Sequence, residues 1–251
     1  MTLFATDDLT FSSTSESSEL AATIDSLNAN SFPAFMMWSS PGNWRWHRIY
    51  SMFPSYQIAA FDKNGVLLGS ANSVPVCWPG QPANLPGGYD DVLVTSTDAN
   101  FKPRTNAVCL LAIAVANHVR GRHVPTALMQ ELKRRAAQSG DMAVIAPLRP
   151  TKKCLHPGVA MTEYISWKNE NGEAFDPWLR THIGLGAKVL GVAEKSITIT
   201  QPLSRWRQIG EISVLGISSW IVPGALSPII VDPEQQYGTY VEPNIWVCHW
   251  L

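Results

Sequence analysis

The 251-residue sequence has little charge and no excess of either sign. Lys and Arg number 19 against 20 Asp and Glu, the formal net charge is −1, and charged residues make up only 16% of the chain. A protein that binds nucleic acid carries a basic excess or a basic stripe. A disordered chain is less apolar than this one, in which 45% of residues are hydrophobic. We therefore expect a globular protein with no nucleic-acid partner.

Long hydrophobic runs and metal-binding spacings are also missing. The longest apolar run, residues 107–116, is about half as long as a membrane-spanning helix needs to be. No Lys or Arg precedes Arg45, so the basic region of a secretory signal is absent. The four cysteines form no C-x-x-C pair and no zinc-type spacing with histidine, which favours small buried side chains over metal ligands. We expect a cytoplasmic protein with no membrane span and no metal.

A hairpin and several further elements follow from local pattern. Asn64-Gly65 separates two apolar runs, 57–61 and 66–76, and an Asn-Gly between such runs is a strong hairpin signal. Residues 78–91 form a loop rich in Pro and Gly, which either borders a site or is a surface excursion. Helices are predicted over residues 17–27 and 44–53, and another begins at Pro177. Strands are predicted over 188–192, 196–200, 229–231 and 240–247, and the strands over 188–192 and 196–200 are expected to pair with each other.

The strongest pattern is a strand–helix–strand unit. Residues 108–115 read VCLLAIAV, which predicts a central strand buried on both faces. Pro125 opens an amphipathic helix over 125–137, in which Leu128, Leu132 and Ala136 recur every four residues. A second buried strand follows over 142–146, and such a crossover makes the two strands parallel. We predict one α/β domain with a mixed sheet over residues 35–251, including a C-terminal strand extension, and an N-terminal arm over 1–34.

The turn between this strand and the helix can bind an anion. Backbone N–H groups at a helix start are free, Gly121 lets the chain approach a phosphate, and Arg120 and Arg122 add positive charge. Neither G-x-G-x-x-G nor G-K-[ST] is present. An ordinary connection between strand and helix remains the alternative for this turn.

Two segments resemble the GNAT superfamily of acyl-CoA-dependent N-acyltransferases. Residues 118–123 (HVRGRH) resemble its pyrophosphate loop, with the central glycine kept and with His118 and His123 at positions where the family has other residues. Residues 181–187 (THIGLGA) resemble a later helix, with His182 at the place of the family's tyrosine. The resemblance implies a GNAT-like α+β fold, in which a mixed, mostly antiparallel sheet has splayed central parallel strands and is flanked by helices.

The resemblance also implies how acyl-CoA, as acetyl-CoA or a longer-chain donor, is held. The main chain of Ile113, Ala114 and Val115 would hold the pantetheine arm. The loop and helix start would hold the pyrophosphate through backbone amides of Val119, Arg120, Gly121, Arg122, His123, Val124 and Thr126. His182 would protonate the departing thiolate as an imidazolium, because histidine titrates near neutral pH. A helix histidine satisfied by a nearby carbonyl is the alternative.

Four longer runs resemble a narrower set of GNAT-like proteins from bacterial natural-product loci: residues 146–153, 175–182, 222–226 and 240–247. Some relatives of this kind acylate amine side chains of peptides. The resemblance therefore implies an amine acceptor, either a peptide Lys or Orn side chain or a small natural-product amine, and an acyl group that could be fatty. Two alternatives stay open: an acyl carrier protein as the donor, and a non-catalytic relative that only binds acyl-CoA.

Transfer to an amine needs a base, and the predicted central strand has no carboxylate to serve as one. Glu242 is our first candidate, because it is an acidic residue inside an otherwise apolar strand; an outward-facing edge position is the alternative. Arg149 could meet CoA's 3′-phosphate or the acceptor. Further candidates for the base or for acceptor binding are Asp90, Asp91, Glu163 and His249. Trp46 is expected to border the cleft, as are Trp44, Trp78, Trp167 and Trp178.

Overall fold

The computed structural model describes residues 9–38, 40–100, 104–119, 122–214 and 218–251. Its strands are β1 (Thr10–Ser13), β2 (Gln57–Phe61), β3 (Leu67–Val76), β4 (Ala107–Val115), β5 (Ala143–Leu148), β6 (Lys188–Pro202), β7 (Ser213–Val214), β8 (Ser219–Ile221), β9 (Ile229–Asp232) and β10 (Tyr237–Trp250). Its α-helices are α1 (Leu20–Ala29), α2 (Arg48–Met52), α3 (Tyr89–Ser96), α4 (Val124–Gln138), α5 (Met161–Tyr164), α6 (Pro177–Gly184) and α7 (Leu203–Trp206).

The strands form one mixed sheet in the order β1-β2-β3-β4-β5-β10-β9-β8-β7, with β6 also paired to β10. The first part of β10 pairs with β9 and its last part with β5, while β6 runs along both parts. Strands β5 and β9 therefore share one edge of β10, and β6 occupies the other. Among the described pairs, β4 with β5 is parallel and the rest are antiparallel.

The central parallel pair holds together for only two residue pairs. Val108 lies opposite Val144 and Cys109 opposite Ile145, and no pairing follows among the described residues. On its other edge β4 contains a bulge, because Asn72 and Ser73 of β3 lie opposite Ala112 and Leu110, which leaves Leu111 unmatched. A bulge bends its strand and increases the local twist. From this point β4 diverges from β5, and a gap opens in the middle of the sheet.

Helices cover both faces of the sheet. On one face the apolar stripe of α4, including Leu128 and Leu132, packs with α6 against β4, β5 and β10. On the opposite face α3 packs against β3 and β4 around the fully buried Trp78. A third apolar cluster surrounds Trp206 and Tyr240, where β6, β9 and β10 meet. The gap between β4 and β5 is therefore closed in by helices on both sides.

Most of the elements predicted from local pattern are present. The Asn-Gly hairpin, the parallel pair, the helix between its strands and the helix at Pro177 are confirmed. The pair of strands expected over 188–200 is wrong, because β6 is one continuous strand that bonds along β10. The helix expected over 44–53 is shorter: a 3-10 turn at Asn43–Arg45 precedes α2. Residues 10–29, assigned to an arm, contribute β1 and α1 to this assembly.

The part of the chain that the structure describes offers no helix for crossing a membrane and no group of metal ligands. None of the helices there is long and apolar enough to cross a membrane. Within the same ranges no three His, Cys, Asp or Glu side chains are grouped so that they could hold a metal ion. Cys109 and Cys248 are buried as expected, whereas Cys77 is exposed, contrary to the expectation that each cysteine is buried.

Gly88 offers a test of how tightly α3 docks on β6. Its φ of 147° disfavours other residues, and an added Cβ would lie 2.6 Å from Ser196 Oγ, the atom that accepts from the Tyr89 amide. Gly140 also has a positive φ, 81°, but open space around it. We expect Gly88→Ala to lower the free energy of unfolding by about 3 kcal/mol or more, and Gly140→Ala by about 1 kcal/mol, in urea denaturation. Equal losses would show that the Ser196 contact is not tight.

Candidate active site

Two cavities meet at the gap between β4 and β5. The α6 cavity, about 470 Å³, lies on the face covered by α4 and α6, and its wall includes Pro125, Trp178 and His182. The α1 cavity, about 260 Å³, lies on the opposite face, and its wall includes Asp25, Asn28 and Trp46. The residues that line both cavities are Phe32, Leu111, Ala112, Pro147 and Arg149. The two cavities therefore share a wall at the gap between β4 and β5.

The main chain of β4 lines the α6 cavity and offers hydrogen-bond groups there. The Ala116 amide donates to Leu68 O of the β3 side at 2.9 Å. Successive residues of a strand point their N–H groups to opposite edges, so the amides of Val115 and Ile113 point away from β3 and into the gap. Of the three residues expected to hold the pantetheine arm, Ile113 and Val115 therefore point their amides into the gap. The amide of Ala114 points to β3 instead.

The turn before α4 is described in part, because Arg120 and Gly121 lie outside the described residues. The amide of Val119 donates to Ala116 O, and that of Arg122 donates to Val119 O. These two amides are used within the turn, which corrects the expectation that they hold pyrophosphate. The first donor within α4 is Ala127, so the amides of Val124 and Thr126 precede the helical hydrogen bonds.

His123, immediately before α4, has a φ of 62°, in the left-handed region. This conformation is the one that glycine adopts without strain. His123 therefore occupies a backbone conformation that favours glycine, at a position where the resemblance gives the family another residue.

His182 of α6 is fully buried beside His249 of β10, with His182 Nδ1 and His249 Nε2 2.9 Å apart. Burial, together with the neighbouring histidine, lowers the pKa of His182 to about 3. Burial and Lys133 lower the pKa of His249 to about 4. Both rings are therefore neutral at neutral pH, which corrects the expectation that His182 is an imidazolium. One ring donates to the other, and His182 Nε2 has no partner among the described residues.

Asp176 positions this histidine by fixing the start of α6. Its carboxylate caps the helix by accepting from the amides of Trp178 and Leu179 at 3.0 and 3.1 Å. It also accepts from the Lys152 amide at 2.8 Å and from the Tyr164 hydroxyl at 3.0 Å. Because Lys152 follows β5, these bonds tie the first turn of α6 to the end of the splayed strand.

Glu242 lies where β10 changes its neighbour from β9 to β5, and its side chain is 0% exposed. The alternative of an outward-facing edge position is therefore wrong. Its carboxylate accepts from Arg149 Nε at 3.0 and 3.1 Å, from the Tyr240 hydroxyl at 2.6 Å and from Asn244 Nδ2 at 3.1 Å. Burial and the charge of Glu242 raise the pKa of Tyr240 well above its usual value, so the phenol keeps its proton.

Arg149 completes this buried ion pair and lines both cavities. Its Nη2 donates to Gly224 O at 2.7 Å, while Nε faces Glu242. Arg149 is therefore held at the junction of the cavities, which makes the acceptor side the better of the two roles expected for it.

The α1 cavity has a carboxylate and aromatic rings at its wall. Asp25 accepts from Trp46 Nε1 at 2.7 Å and from the Tyr50 hydroxyl at 3.2 Å. Trp46 stacks on Tyr89 with the ring centroids 6.3 Å apart. Sequence reasoning identified Trp46 but missed Asp25 and Asn28. Their spacing of three residues puts them on one side of a helix, which was the available signal.

The acidic candidates Asp90, Asp91 and Glu163 line neither cavity, which corrects those expectations. Asp90 accepts from Ser40 Oγ, Gly42 N and Thr198 N, so its carboxylate braces the start of α3. Asp91 accepts from the Gly87 amide, and Glu163 is exposed on α5. Of the tryptophans expected at the cleft, Trp46 and Trp178 line a cavity. The remaining three do not: Trp44 is exposed, Trp78 is in the core, and Trp167 packs against His156 and Phe175.

Comparison with known proteins assigns the family. The chain matches no protein-family model. It is 32% identical over 225 residues to the arginine N-acetyltransferase avaD of Aspergillus versicolor, a match that covers 79% of this chain and 77% of that protein. The chain belongs to the GNAT superfamily of N-acyltransferases. The expectation of an acyltransferase enzyme is thereby confirmed.

Solved structures agree with the GNAT fold. The loading GNATL domain of CurA from Lyngbya majuscula superposes with a TM-score of 0.61 at 18% identity, covering 96% of this chain and 97% of that one. The GphF GNAT-like decarboxylase, solved with isobutyryl-CoA, gives a TM-score of 0.56 at 19% identity, covering 96% and 98%. At these identities the likeness concerns the fold, and the predicted sheet with splayed central strands is confirmed.

The neutral histidine pair predicts how the stability of this GNAT protein depends on pH. An unfolded histidine titrates near pH 6.5, whereas the folded pair has pKa values of about 3 and 4. Below pH 6.5 the unfolded chain binds more protons than the folded one, so stability falls as the pH is lowered from about 6.5 towards 4. We expect a loss of about 2 kcal/mol or more between pH 7 and pH 5 in urea denaturation.

The variant His249→Gln removes one titrating ring and keeps an amide beside His182. Its stability should therefore depend less steeply on pH than that of the wild type. The exposed His47 provides the control, since His47→Gln should retain the wild-type slope. If His249→Gln and His47→Gln both follow the wild-type curve, the pair is not the source of the acid sensitivity.

Proposed function

We propose that this GNAT protein transfers an acetyl or other short acyl group from acyl-CoA to an amine of a cationic, arginine-like acceptor. The observation that carries the proposal is the meeting of two cavities, one on each face of the sheet, at the gap between β4 and β5. A thioester entering from one face and an amine entering from the other can then react without either leaving its site.

The donor occupies the α6 cavity in this proposal. Its pantetheine arm runs along β4 and bonds to the free main-chain groups of Ile113 and Val115. Its pyrophosphate lies at the start of α4, near Pro125 and the amide of the half-buried Thr126, where the helix dipole favours negative charge. With a net charge of −1, the chain has no broad positive field to attract CoA, so backbone amides would supply most of the phosphate contacts.

The length of the acyl group is limited by what lies beyond the gap. Phe32 and Leu111 line the junction, and past them is the α1 cavity of about 260 Å³. A long acyl chain would fill the space that the acceptor needs. The small size of this space favours acetyl over the fatty acyl group that the resemblance left open.

The acceptor occupies the α1 cavity in this proposal, with the carboxylates of Asp25 and Glu242 at its wall. Arg149 neutralises the charge of Glu242. The carboxylate of Asp25 and the Trp46 ring therefore supply the preference for a cation over a neutral amine. The similarity to a protein named as an arginine N-acetyltransferase supports the same class of acceptor. A small amine, a free amino acid or a peptide side chain would each meet this requirement.

The reaction proceeds by direct attack of the neutral amine on the thioester carbonyl. Glu242 attracts the ammonium form and receives its first proton, directly or through a water molecule. A main-chain amide of β4 at the junction, beside the bulge at Leu111, donates to the developing oxyanion. As the C–N bond forms and the C–S bond breaks, the second nitrogen proton passes to sulfur. His182, as a neutral ring with Nε2–H, donates a hydrogen bond to the departing thiolate.

The proposal is tested by incubating the protein with acetyl-, butyryl-, octanoyl- and palmitoyl-CoA, each with L-arginine, L-lysine or the neutral amine benzylamine. Mass spectrometry should detect an acyl adduct on the cationic amines, with acetyl-CoA the fastest donor. Tight binding of CoA without turnover of any thioester would contradict the proposal and favour a non-catalytic relative. Turnover only from an acyl carrier protein loaded with the same groups would favour the carrier-dependent alternative.

The role of His182 is tested by His182→Ala and His182→Gln. If the ring donates a hydrogen bond to the leaving sulfur, His182→Ala should lower kcat by roughly 10²- to 10³-fold, with little change in the KM for acetyl-CoA. His182→Gln keeps a side-chain N–H and should recover part of this loss. An unaltered kcat in His182→Ala would remove the residue from the mechanism.

A further inference from the structure

We infer that Asn28 is a specificity-determining residue of the acceptor site. Its side-chain oxygen accepts an N–H from the cationic group of the acceptor, and a chain of buried amides fixes the direction in which that oxygen points. The inference rests on the proposed function, since it assigns the α1 cavity to a cationic acceptor. Asn28 and its amide partners play no other part in the chemistry described above.

The chain of amides begins at Gln57, which is fully buried on β2. Its Nε2 donates to the backbone carbonyls of Phe53 and Ser73, each at 2.9 Å. Carbonyl oxygens only accept hydrogen bonds, so the NH₂ end of the amide must face them. This contact decides the orientation that is otherwise ambiguous for a glutamine side chain. Gln57 Oε1 therefore points to the opposite side.

The orientation then propagates from one amide to the next. Asn72 Nδ2 donates to Gln57 Oε1 at 3.0 Å, and Asn28 Nδ2 donates to Asn72 Oδ1 at 2.8 Å. Reversing any amide would bring two oxygens or two NH₂ groups together. The backbone carbonyls beside Gln57 therefore determine the orientation of Asn28 at the other end of the chain of amides. Asn28 uses its Nδ2 within this chain, and its Oδ1 is the atom left over as an acceptor.

Asn28 Oδ1 is buried and has no partner among the described residues. Asn28 is only 4% exposed, yet it lines the α1 cavity. A buried carbonyl oxygen without a donor is unfavourable, and the surrounding structure here maintains it. A ligand N–H in the cavity would satisfy it.

The surroundings favour a cationic donor. Asp25 lies three residues earlier on α1, at the wall of the same cavity, with the Trp46 ring beside it. An ammonium offers three N–H groups and a guanidinium five, enough to reach both a carboxylate and Asn28 Oδ1. A site that presents a fixed acceptor discriminates strongly against an analogue that lacks the matching N–H. Asn28 therefore contributes selectivity that the charge of Asp25 alone does not provide.

The test compares Asn28→Leu with Asn30→Leu, which removes the same amide from an exposed position two residues later. The acceptors are L-arginine and L-arginines carrying one or two methyl groups on the guanidine or on the α-amine. Asn28→Leu should raise the KM for L-arginine about tenfold or more, the effect expected for one lost hydrogen bond to a charged group. The KM for acetyl-CoA should stay as in Asn30→Leu.

The selectivity ratio is the KM for a methylated L-arginine divided by the KM for L-arginine itself. This ratio distinguishes recognition of the acceptor by Asn28 from a purely structural role. In the wild type, methylation that removes the recognised N–H should raise KM, and in Asn28→Leu the same methylation should have little further effect. Asn72→Ala should reduce this ratio as well, although Asn72 lines neither cavity, because it frees Asn28 to rotate. Equal ratios in the wild type and Asn28→Leu would contradict the inference, and would be the outcome if water alone satisfies Asn28 Oδ1.

Binding measurements separate this inference from the proposed function. Calorimetric titration of the protein with L-arginine in the presence of CoA reads affinity without turnover. If the wild type acetylates L-arginine but Asn28→Leu binds it as tightly as Asn30→Leu does, the inference fails and the proposed function stands. If neither L-arginine nor any other cationic amine is bound or acetylated by the wild type, the proposed function fails with it.

Discussion

The separation of β4 from β5 is the constraint on which the site depends. The two central strands stay paired for only two residue pairs before the bulge at Leu111 bends β4 away. The resulting gap lies between a cavity on each face of the sheet, and it leaves main-chain N–H groups of β4 without a strand partner among the described residues. A fully paired sheet would separate the faces and use up those groups. One extra residue in one strand thus creates both the gap and part of its polar lining.

Buried polar pairs lie on both sides of this gap. On the α1 side, Arg149 and Glu242 form an ion pair supported by Tyr240 and Asn244, at the point where β10 changes from β9 to β5. On the α6 side, His182 and His249 bond to each other as neutral rings. Burying one member of either pair without its partner would be costly, because each group needs the partner to replace its hydrogen bonds to water. Each partner is held by a different element, so the two pairs also fix those elements relative to one another.

Elements with strong local patterns were predictable. The Asn-Gly hairpin, the apolar run of β4 and the four-residue spacing of α4 each depend on neighbouring residues, and each is present. The division of β6 into two strands was wrong, because its polar stretch at Glu194 and Lys195 resembles a turn, while pairing along β10 keeps the strand continuous. The acidic candidates Asp90, Asp91 and Glu163 were chosen by residue type alone, and their contacts place them elsewhere.

By itself the sequence determined the order of the main strands and helices and the resemblance to the GNAT superfamily, because periodicity and short motifs act over a few residues. It also singled out His182, Glu242 and Trp46. Only the tertiary structure decided that His182 is neutral, since its partner lies 67 positions away. The buried orientation of Asn28 depends in the same way on an amide 44 positions away. Protonation and hydrogen-bond direction depend on which groups are buried next to one another. The folding of segments that are distant in sequence decides which groups those are.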